Sequence, residues 1–298
     1  MKSTYALVTA ARNEEKYIGN TIESVAAQSI LPVQWIIVND SSTDRTQEIV
    51  QKCLIDYPFM SMINLKHRNI RDFASKVNAL TIGINALKKE PPADFVGIVD
   101  SDITFEPTYY ERVLAEFHNN ARLGIAGGVL FEVFPSGLKK RNWRKYSVAG
   151  GIQLFRRTCF ESIGDFLPLP YGSEDSVAEI SARMHGWEVQ AFRNIVGLHH
   201  KPAGKSKREL LRYAFILGKR DYSYGVLFFS EILKCIVRLP DKPFVIQSLF
   251  SFLGFLWSLL TREKRVVSPS LIRFYRHEQI RRIGGLFIFF VNRREKSR

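Results

Sequence analysis

Asp94-Phe95-Val96-Gly97-Ile98-Val99-Asp100-Ser101-Asp102 is a short apolar run that ends abruptly in two acids two residues apart. The apolar part, Asp94 to Val99, reads as a buried strand. If the chain stays extended through Asp100-Ser101-Asp102, both carboxylates leave on the same side. Two such oxygen ligands with room for water suit Mg²⁺ or Mn²⁺, hard ions that bridge protein carboxylates to a diphosphate. Alone, an Asp-x-Asp run is also an ordinary solvated turn, so its surroundings decide between the two.

Upstream, strands and helices alternate. Tyr5 to Ala11 is a short apolar strand, and Ile18, Ile22, Val25 and Ala26 repeat near the 3.6-residue period of a helix. Gln34 to Val38 forms a second strand, and Asn39-Asp40-Ser41-Ser42-Thr43-Asp44 a polar loop that ends in a helix N-cap. Arg45 to Leu54 is the next helix and Met60 to Leu65 a third strand. Residues 73–87 form a helix with Phe73, Val77, Leu80, Ile84 and Leu87 on one side. This alternation predicts a parallel, doubly wound α/β sheet whose ligands bind at the carboxyl ends of the strands, where Asp40 and the Asp100/Asp102 pair fall.

Downstream, the Pro/Gly-rich loop from Leu167 to Ser173 leads into Glu174-Asp175 and a helical run containing Val177, Ile180 and Met184. Acids at a helix N-terminus stabilise it without any catalytic role, which is the plain alternative for this pair. Asn194 to Leu198 is strand-like and ends in His199-His200, a common loop feature that could also place the His200 imidazole on a metal or diphosphate.

Composition bounds the function. With 46% hydrophobic residues and ordinary Gly and Pro usage, the chain is neither disordered nor collagenous. Cys53, Cys159 and Cys235 stand too far apart for a metal knuckle or a disulfide framework, which points to a reducing cytosol. The first apolar run is too short for a signal peptide. Charge is balanced up to Leu198, so the last hundred residues carry the whole formal charge of +14.

Leu210 to Leu239 is apolar at helical spacing, interrupted by Lys219-Arg220-Asp221 and ended by Pro240. Phe244 to Leu260 holds no charge and is followed by Arg262, Lys264 and Arg265. A helix of that length measures about 25 Å, at or below the limit for a roughly 30 Å hydrocarbon layer. Gly285 to Val291, between Arg281-Arg282 and Arg293-Arg294, is shorter still. Aromatic-rich apolar stretches bordered by cations suit peripheral attachment to an anionic membrane; a helical core, a homo-oligomer interface and a membrane span are the alternatives. A nucleic-acid scaffold is disfavoured because the cations alternate with long apolar runs and no recognition motif precedes them.

The ordered motifs from Tyr5 to Phe192 resemble family 2 of the glycosyltransferases, nucleotide-sugar-dependent enzymes with the GT-A fold. Ala11-Arg12-Asn13-Glu14-Glu15 looks like the family's opening, and Val38-Asn39-Asp40-Ser41-Ser42-Thr43-Asp44 is similar to its V-D-D-G-S-T-D loop, with Asn39 and Ser41 as departures. Ser75-Lys76-Val77-Asn78-Ala79 resembles its next helix loosely, and Val99-Asp100-Ser101-Asp102 matches its D-x-D strand end. Gly150-Gly151-Ile152 through Phe155-Arg156-Arg157, then Phe160-Glu161-Ser162-Ile163-Gly164 and Gly172-Ser173-Glu174-Asp175, resemble the acceptor-side block. Glu209-Leu210-Leu211-Arg212-Tyr213 keeps only the Arg of the processive enzymes' Q-x-x-R-W, which suggests one transfer per binding event.

The resemblance implies an α/β fold of GT-A type with a mostly parallel, Rossmann-like sheet and flanking helices over residues 1–204. Its nucleotide-binding part would be about 1–103 and its acceptor-binding part about 104–204, followed by a basic, apolar helical region over 205–298. It implies an inverting, metal-dependent transferase that moves one sugar from a nucleotide-sugar, UDP by default, in polysaccharide biosynthesis; the membrane-attachment reading of the last hundred residues adds a lipid-linked saccharide acceptor at the cytoplasmic face of a membrane. Asp175 would be the general base, and Glu174 and Arg212 would bind acceptor. Ala10, Arg12, Glu14, Asp40, Lys76, Asp100 and Ser101 would bind the nucleotide-sugar, and Asp102 with His200 would hold Mn²⁺ or Mg²⁺. The competing sugar-phosphate nucleotidyltransferase would want a Gly-rich loop where Ala10-Ala11-Arg12-Asn13 stands.

Overall fold

The computed structural model describes residues 3–66, 73–87, 92–164, 166, 169–201, 207–239 and 245–295, with side chains in its last helix as far as Gly284. Two compact units emerge. The first comprises Met1–Pro168 and Glu174–Ala203, the second Leu169–Ser173 and Gly204–Arg298.

The first unit is built on β1 (Tyr5–Ala11), α1 (Ile18–Ala26), β2 (Gln34–Asn39), α2 (Thr46–Asp56), β3 (Met60–Asn64), α3 (Phe73–Ala86) and β4 (Phe95–Ile98). Its strands run parallel in the order β3-β2-β1-β4. Tyr5, Leu7, Val8, Trp35, Ile36, Ile37 and Val38 are buried, as strands covered on both faces require. Trp35 satisfies its indole by donating to Thr9 Oγ1 at 3.0 Å.

Beyond β4 the sheet departs from the expected mostly parallel order. β5 (Ile103–Phe105), α4 (Tyr109–Asn119), β6 (Leu123–Phe134), β7 (Gly137–Lys140), β8 (Leu154–Arg156), α5 (Arg157–Ile163), α6 (Glu174–Met184) and β9 (Glu188–His199) complete the unit. The full order is β3-β2-β1-β4-β8-β6-β9-β5, with β7 paired to β6. β8 lies antiparallel to both β4 and β6, and β5 antiparallel to β9, so the sheet is mixed. The reason is the path of the chain. It runs from β4 through Asp102 into β5 with no helix between them, but β5 pairs with the distant β9, and the place beside β4 is taken by β8, which returns antiparallel after α4, β6 and β7.

The second unit contains α7 (Lys207–Ser223), α8 (Phe228–Val237), α9 (Ile246–Leu260) and α10 (Pro269–Glu295). The interruption expected at Lys219-Arg220-Asp221 falls instead at Gly225, whose φ of 95° no helix accommodates. Asp221 stays inside α7, fully buried, and accepts from Tyr224 Oη at 2.6 Å and Lys234 Nζ at 2.9 Å. Burial opposes its charge, and Lys234 and Arg220 overcome it, so Asp221 titrates well below the ordinary carboxylate range. α7 and α9 meet backbone to backbone: a Cβ on Gly254 would stand 2.0 Å from Phe215 O, and one on Gly218 1.8 Å from Ser251 O. Among the described residues no helix is long and apolar enough to cross a membrane. Phe244 of the charge-free run and the Leu167–Pro168 start of the Pro/Gly-rich loop lie outside the described residues, as do the side chains of Gly285 to Val291.

Candidate active site

Parallel pairing of β1 with β2 and β4 carries three chain segments to one edge of the sheet, with Ala11 opposite Asn39 and Val8 opposite Ile98. A cavity of about 250 Å³ opens there, lined by Ala10, Arg12, Glu14, Asp40, Lys76, Asp100, Ser101 and Asp102, with Ala11 and Ser75. These are the seven residues expected to hold the nucleotide-sugar, together with one expected metal ligand. A second hollow, of about 160 Å³, shares Asp40 and Ser75 and adds Leu65, Lys66, Asn78 and Ile82.

The two loops on the β1 and β2 side hold each other. Asn13 Oδ1 accepts from Thr43 N at 2.8 Å, Thr46 Oγ1 from Glu14 N at 2.8 Å, and Asp44 Oδ2 from Glu15 N at 3.1 Å. The N-cap of α2 falls at Arg45, one residue after the end of the polar loop, while Asp44 accepts from Thr46 N at the first helical position. The two departures from the family loop have structural work. Asn39 donates to Asn64 Oδ1 at 2.8 Å and accepts from Ser42 N, closing the turn. Ser41 sits at φ 56°, in the left-handed region that favours glycine, and donates to Leu65 O at 3.1 Å.

The charges in the cleft are paired. Arg12 Nη1 lies 3.4 Å from Asp40 Oδ2, Lys76 Nζ 2.6 Å from Asp100 Oδ1, and Lys201 Nζ 2.6 Å from Glu14 Oε1. Desolvation works against the Lys76 ammonium, but Asp100, helped by Glu174 and Asp175, outweighs it and raises its pKa. Burial raises Glu14, partly countered by Lys201, and Asp102 and Asp100 push it further up. Asp102 differs from these. Its Oδ2 meets His199 Nε2 at 3.3 Å, while its Oδ1 is buried with no hydrogen-bond partner among the described residues.

His200, the expected metal ligand, bonds Thr104 Oγ1 through Nε2 at 2.7 Å and donates its backbone N–H to Asp102 O. The ring that meets the Asp102 carboxylate is that of His199, whose Nδ1 also bonds Glu132 Oε2 at 2.8 Å. The hydrogen bond to Asp102 leads the causes that raise His199 to about 9, so the ring is cationic at neutral pH. Among the described residues no group of three or more His, Cys, Asp or Glu is placed to hold a metal ion. An orphaned oxygen on Asp102, beside a second carboxylate at Asp100, nevertheless fits a hard cation whose remaining ligands come from a diphosphate and water.

Asp175 reaches the site through a glycine pair. A Cβ on Gly150 would stand 2.8 Å from Asp175 Oδ2, and one on Gly151 2.5 Å from Asp100 Oδ2, so the two carboxylates pack against successive glycines. Asp100 N also donates to Gly151 O. Both expected acceptor-side acids open α6, where burial, then the Asp175 charge, raises Glu174. Arg212 is exposed on α7, in the second unit.

Glu179, one turn after Asp175, escaped the motif reading. It is 4% exposed and accepts from Val148 N at 2.6 Å and from Ser147 Oγ and Gln153 Nε2 at 3.3 Å, which ties α6 to both ends of the glycine turn. Burial dominates and raises it to about 7. A carboxyl raised above its unfolded value stabilises the fold fully below the unfolded value, and that contribution is lost as pH rises through the folded one. Relative to Glu179→Gln, wild type should therefore lose about 3 kcal/mol of stability between pH 4.5 and 7.5. The melting-temperature difference between the two across that window checks this; a flat difference would count against it.

The parallel half-sheet with acids at its carboxyl edge, extended by a mixed half that delivers a second acidic pair, is the architecture of GT-A transferases. The chain belongs to glycosyl transferase family 2, whose description matches residues 6–168. Over 123 residues it is 27% identical to poly-beta-1,6-N-acetyl-D-glucosamine synthase of Staphylococcus epidermidis, covering 41% of this chain. The chain spans only 27% of that enzyme's length. Among solved structures it is similar to mannosyltransferase PcManGT from Pyrobaculum calidifontis, in complex with GDP-Man and Mn²⁺, at TM-score 0.55, 14% identity and coverage of 94% of this chain and 81% of that one. It is also similar to S. aureus TarS in complex with UDP-GlcNAc, at TM-score 0.54, 15% identity and coverage of 88% and 74%. At such identities the likeness is one of fold.

Proposed function

We propose that the chain moves one sugar per binding event from a nucleotide-sugar, a UDP-sugar by default, to a hydroxyl of a lipid-linked saccharide, building a polysaccharide at the cytoplasmic face of a membrane. The observation that carries this is the convergence of Arg12, Asp40, Lys76, Asp100 and Asp102 on one cleft, with Asp175 set against the glycine next to the one that Asp100 touches. Asp40 and Arg12 take the base and ribose, and Lys76 and Asp100 the ribose and diphosphate side. Asp175 removes the acceptor hydroxyl's proton as that oxygen attacks the anomeric carbon and the bond to the diphosphate breaks. One such displacement inverts the anomeric configuration. Glu174 orients the acceptor.

Asp102 and Asp100 would hold Mn²⁺ or Mg²⁺, with His200 at the edge of the site. When bound, that ion neutralises charge gathering on the departing diphosphate. The similarity to a polysaccharide synthase supports a saccharide product, and the neighbours' complexes, one with GDP-Man and Mn²⁺ and one with UDP-GlcNAc, support a nucleotide-sugar donor.

Thermal stabilisation by UDP, GDP and dTDP, with and without Mn²⁺, tests the donor site. A ligand that binds only the folded state at a hundred times its Kd adds about 2.7 kcal/mol. The expected result is a metal-enhanced rise in Tm with one nucleotide. No rise with any of them would overturn the reading.

A further inference from the structure

The second unit carries its apolar residues on the wrong side for a water-soluble helix pair. α9 buries Ser248, Ser251, Gly254 and Ser258 with one aromatic, Phe255, and turns Ile246, Leu249, Leu253, Trp257 and Leu260 to solvent, Trp257 at 56% and Leu260 at 72% exposure. An ordinary surface helix does the reverse. α8, which packs on α9 through Phe228 and Phe252, does likewise with Phe229, Leu233, Ile236 and Val237, the first 75% and the last 77% exposed. The buried small side is committed: Ser251 Oγ donates to the buried Glu231, Cys235 Sγ to Ser248 O, and Ser258 Oγ to Glu263. Rotating α9 to hide its leucines would break all three bonds and drive Leu side chains into the backbone contact at Gly218 and Gly254.

Charge selects what covers this face. Trp257 and Leu260 end α9, and exposed Arg262 and Lys264 follow at once. Arg281 and Arg282 are exposed on α10, and the last hundred residues hold the whole formal charge of +14. A second copy of the chain would bring the same excess to the contact, whereas a phosphate-bearing surface offsets it. α9 has 15 residues, about 22 Å, against a hydrocarbon layer of roughly 30 Å, and its serine side cannot face lipid.

We infer that the outward faces of α8 and α9 are a bilayer-docking surface. It lies along the interface of an anionic membrane, with Trp257, Leu253 and Phe229 at the acyl boundary and Arg262 and Lys264 on lipid phosphates. The inference rests on the membrane placement proposed above and deepens it. Vesicle binding is read without turnover, so its failure leaves the transferase reading standing.

The experiment is co-sedimentation of the full chain with phosphatidylcholine vesicles containing or lacking 30% phosphatidylglycerol. Leu253→Glu/Trp257→Glu and Arg262→Glu/Lys264→Glu are compared with wild type, and sedimentation equilibrium is run without lipid. The expected result is binding at least tenfold tighter to the anionic vesicles, lost at least tenfold in each double variant with the melting temperature unchanged. Leu260→Glu, at the most exposed position of α9, repeats the test should the first variant unfold. Absent vesicle binding, or binding indifferent to Leu253, Trp257 and Leu260, overturns the inference. So does a lipid-independent dimer dissociated by the apolar variant, which assigns the face to a second copy, or tighter binding to duplex or single-stranded oligonucleotides than to vesicles.

Discussion

Asp175→Asn should lower sugar transfer by about 10² to 10⁴, the range associated with loss of a positioned general base, while nucleotide binding changes by less than about twofold. Asparagine keeps the volume that fills the space over Gly150 and can keep the acceptor oxygen for Ser176 N, which Asp175 Oδ1 bonds at 2.7 Å. What it loses is the capacity to take a proton. Because Asp175 lies outside the lining of the nucleotide cleft, packed on Gly150 beside the Gly151 that Asp100 touches, and reaches the cleft's charges only as a lesser influence on Lys76 behind Asp100, the effect belongs mainly in the transfer step and not in donor affinity. Single-turnover transfer with the donor found by thermal stabilisation, beside the nucleotide Kd, separates the two. A variant that transfers within threefold of wild type would remove Asp175 as the base. A variant that transfers slowly but also loses nucleotide would mean that the carboxylate acts by holding Asp100 in place.

The first half of the sheet was legible in the sequence because each of its determinants is local. Tyr5–Ala11 and Gln34–Asn39 are largely apolar runs, the following helices show a 3.6-residue period, and each cleft-lining segment directly follows its strand. The second half rests on long-range pairing. β8 is three residues long, and β6 carries Gly124, Gly127 and Gly128, which weaken any strand signal. Those glycines are there for close approach, since a Cβ on Gly128 would stand 2.3 Å from Ile195 O. The partner of Asp102 is likewise set by the β5–β9 register, which places Ile103 opposite His199 across 96 residues. No spacing rule could choose His199 over His200. Glu179 was invisible for a different reason: one acid inside a helix reads as solvated, and only burial against Val148 N gives it a role.

Asp102→Ala should abolish the metal-dependent part of nucleotide stabilisation and lower transfer by roughly 10³, as expected for losing several kcal/mol of charge stabilisation at the departing diphosphate. The fold should tolerate the change. Asp102 Oδ1 is buried without a donor among the described residues, so removing that carboxylate relieves a desolvation cost. His199 loses one of its two acidic partners but keeps Glu132 at 2.8 Å. Its pKa should fall from about 9, because the bond to Asp102 is the largest of its causes. The ligand-free melting temperature should therefore stay within a few degrees of wild type near neutral pH, while the added stabilisation by nucleotide with Mn²⁺ drops to the level seen without metal. A cationic His199 already sits against Asp102, so a second cation would have to share that carboxylate or displace the ring. Metal binding should consequently strengthen as pH rises toward 9 in wild type, and this slope should vanish in Asp102→Ala. Metal-dependent stabilisation that survives the substitution would move the ligand role to Asp100. Collapse of the ligand-free protein would instead make the Asp102–His199–Glu132 chain a structural clamp between β9, β6 and the start of β5.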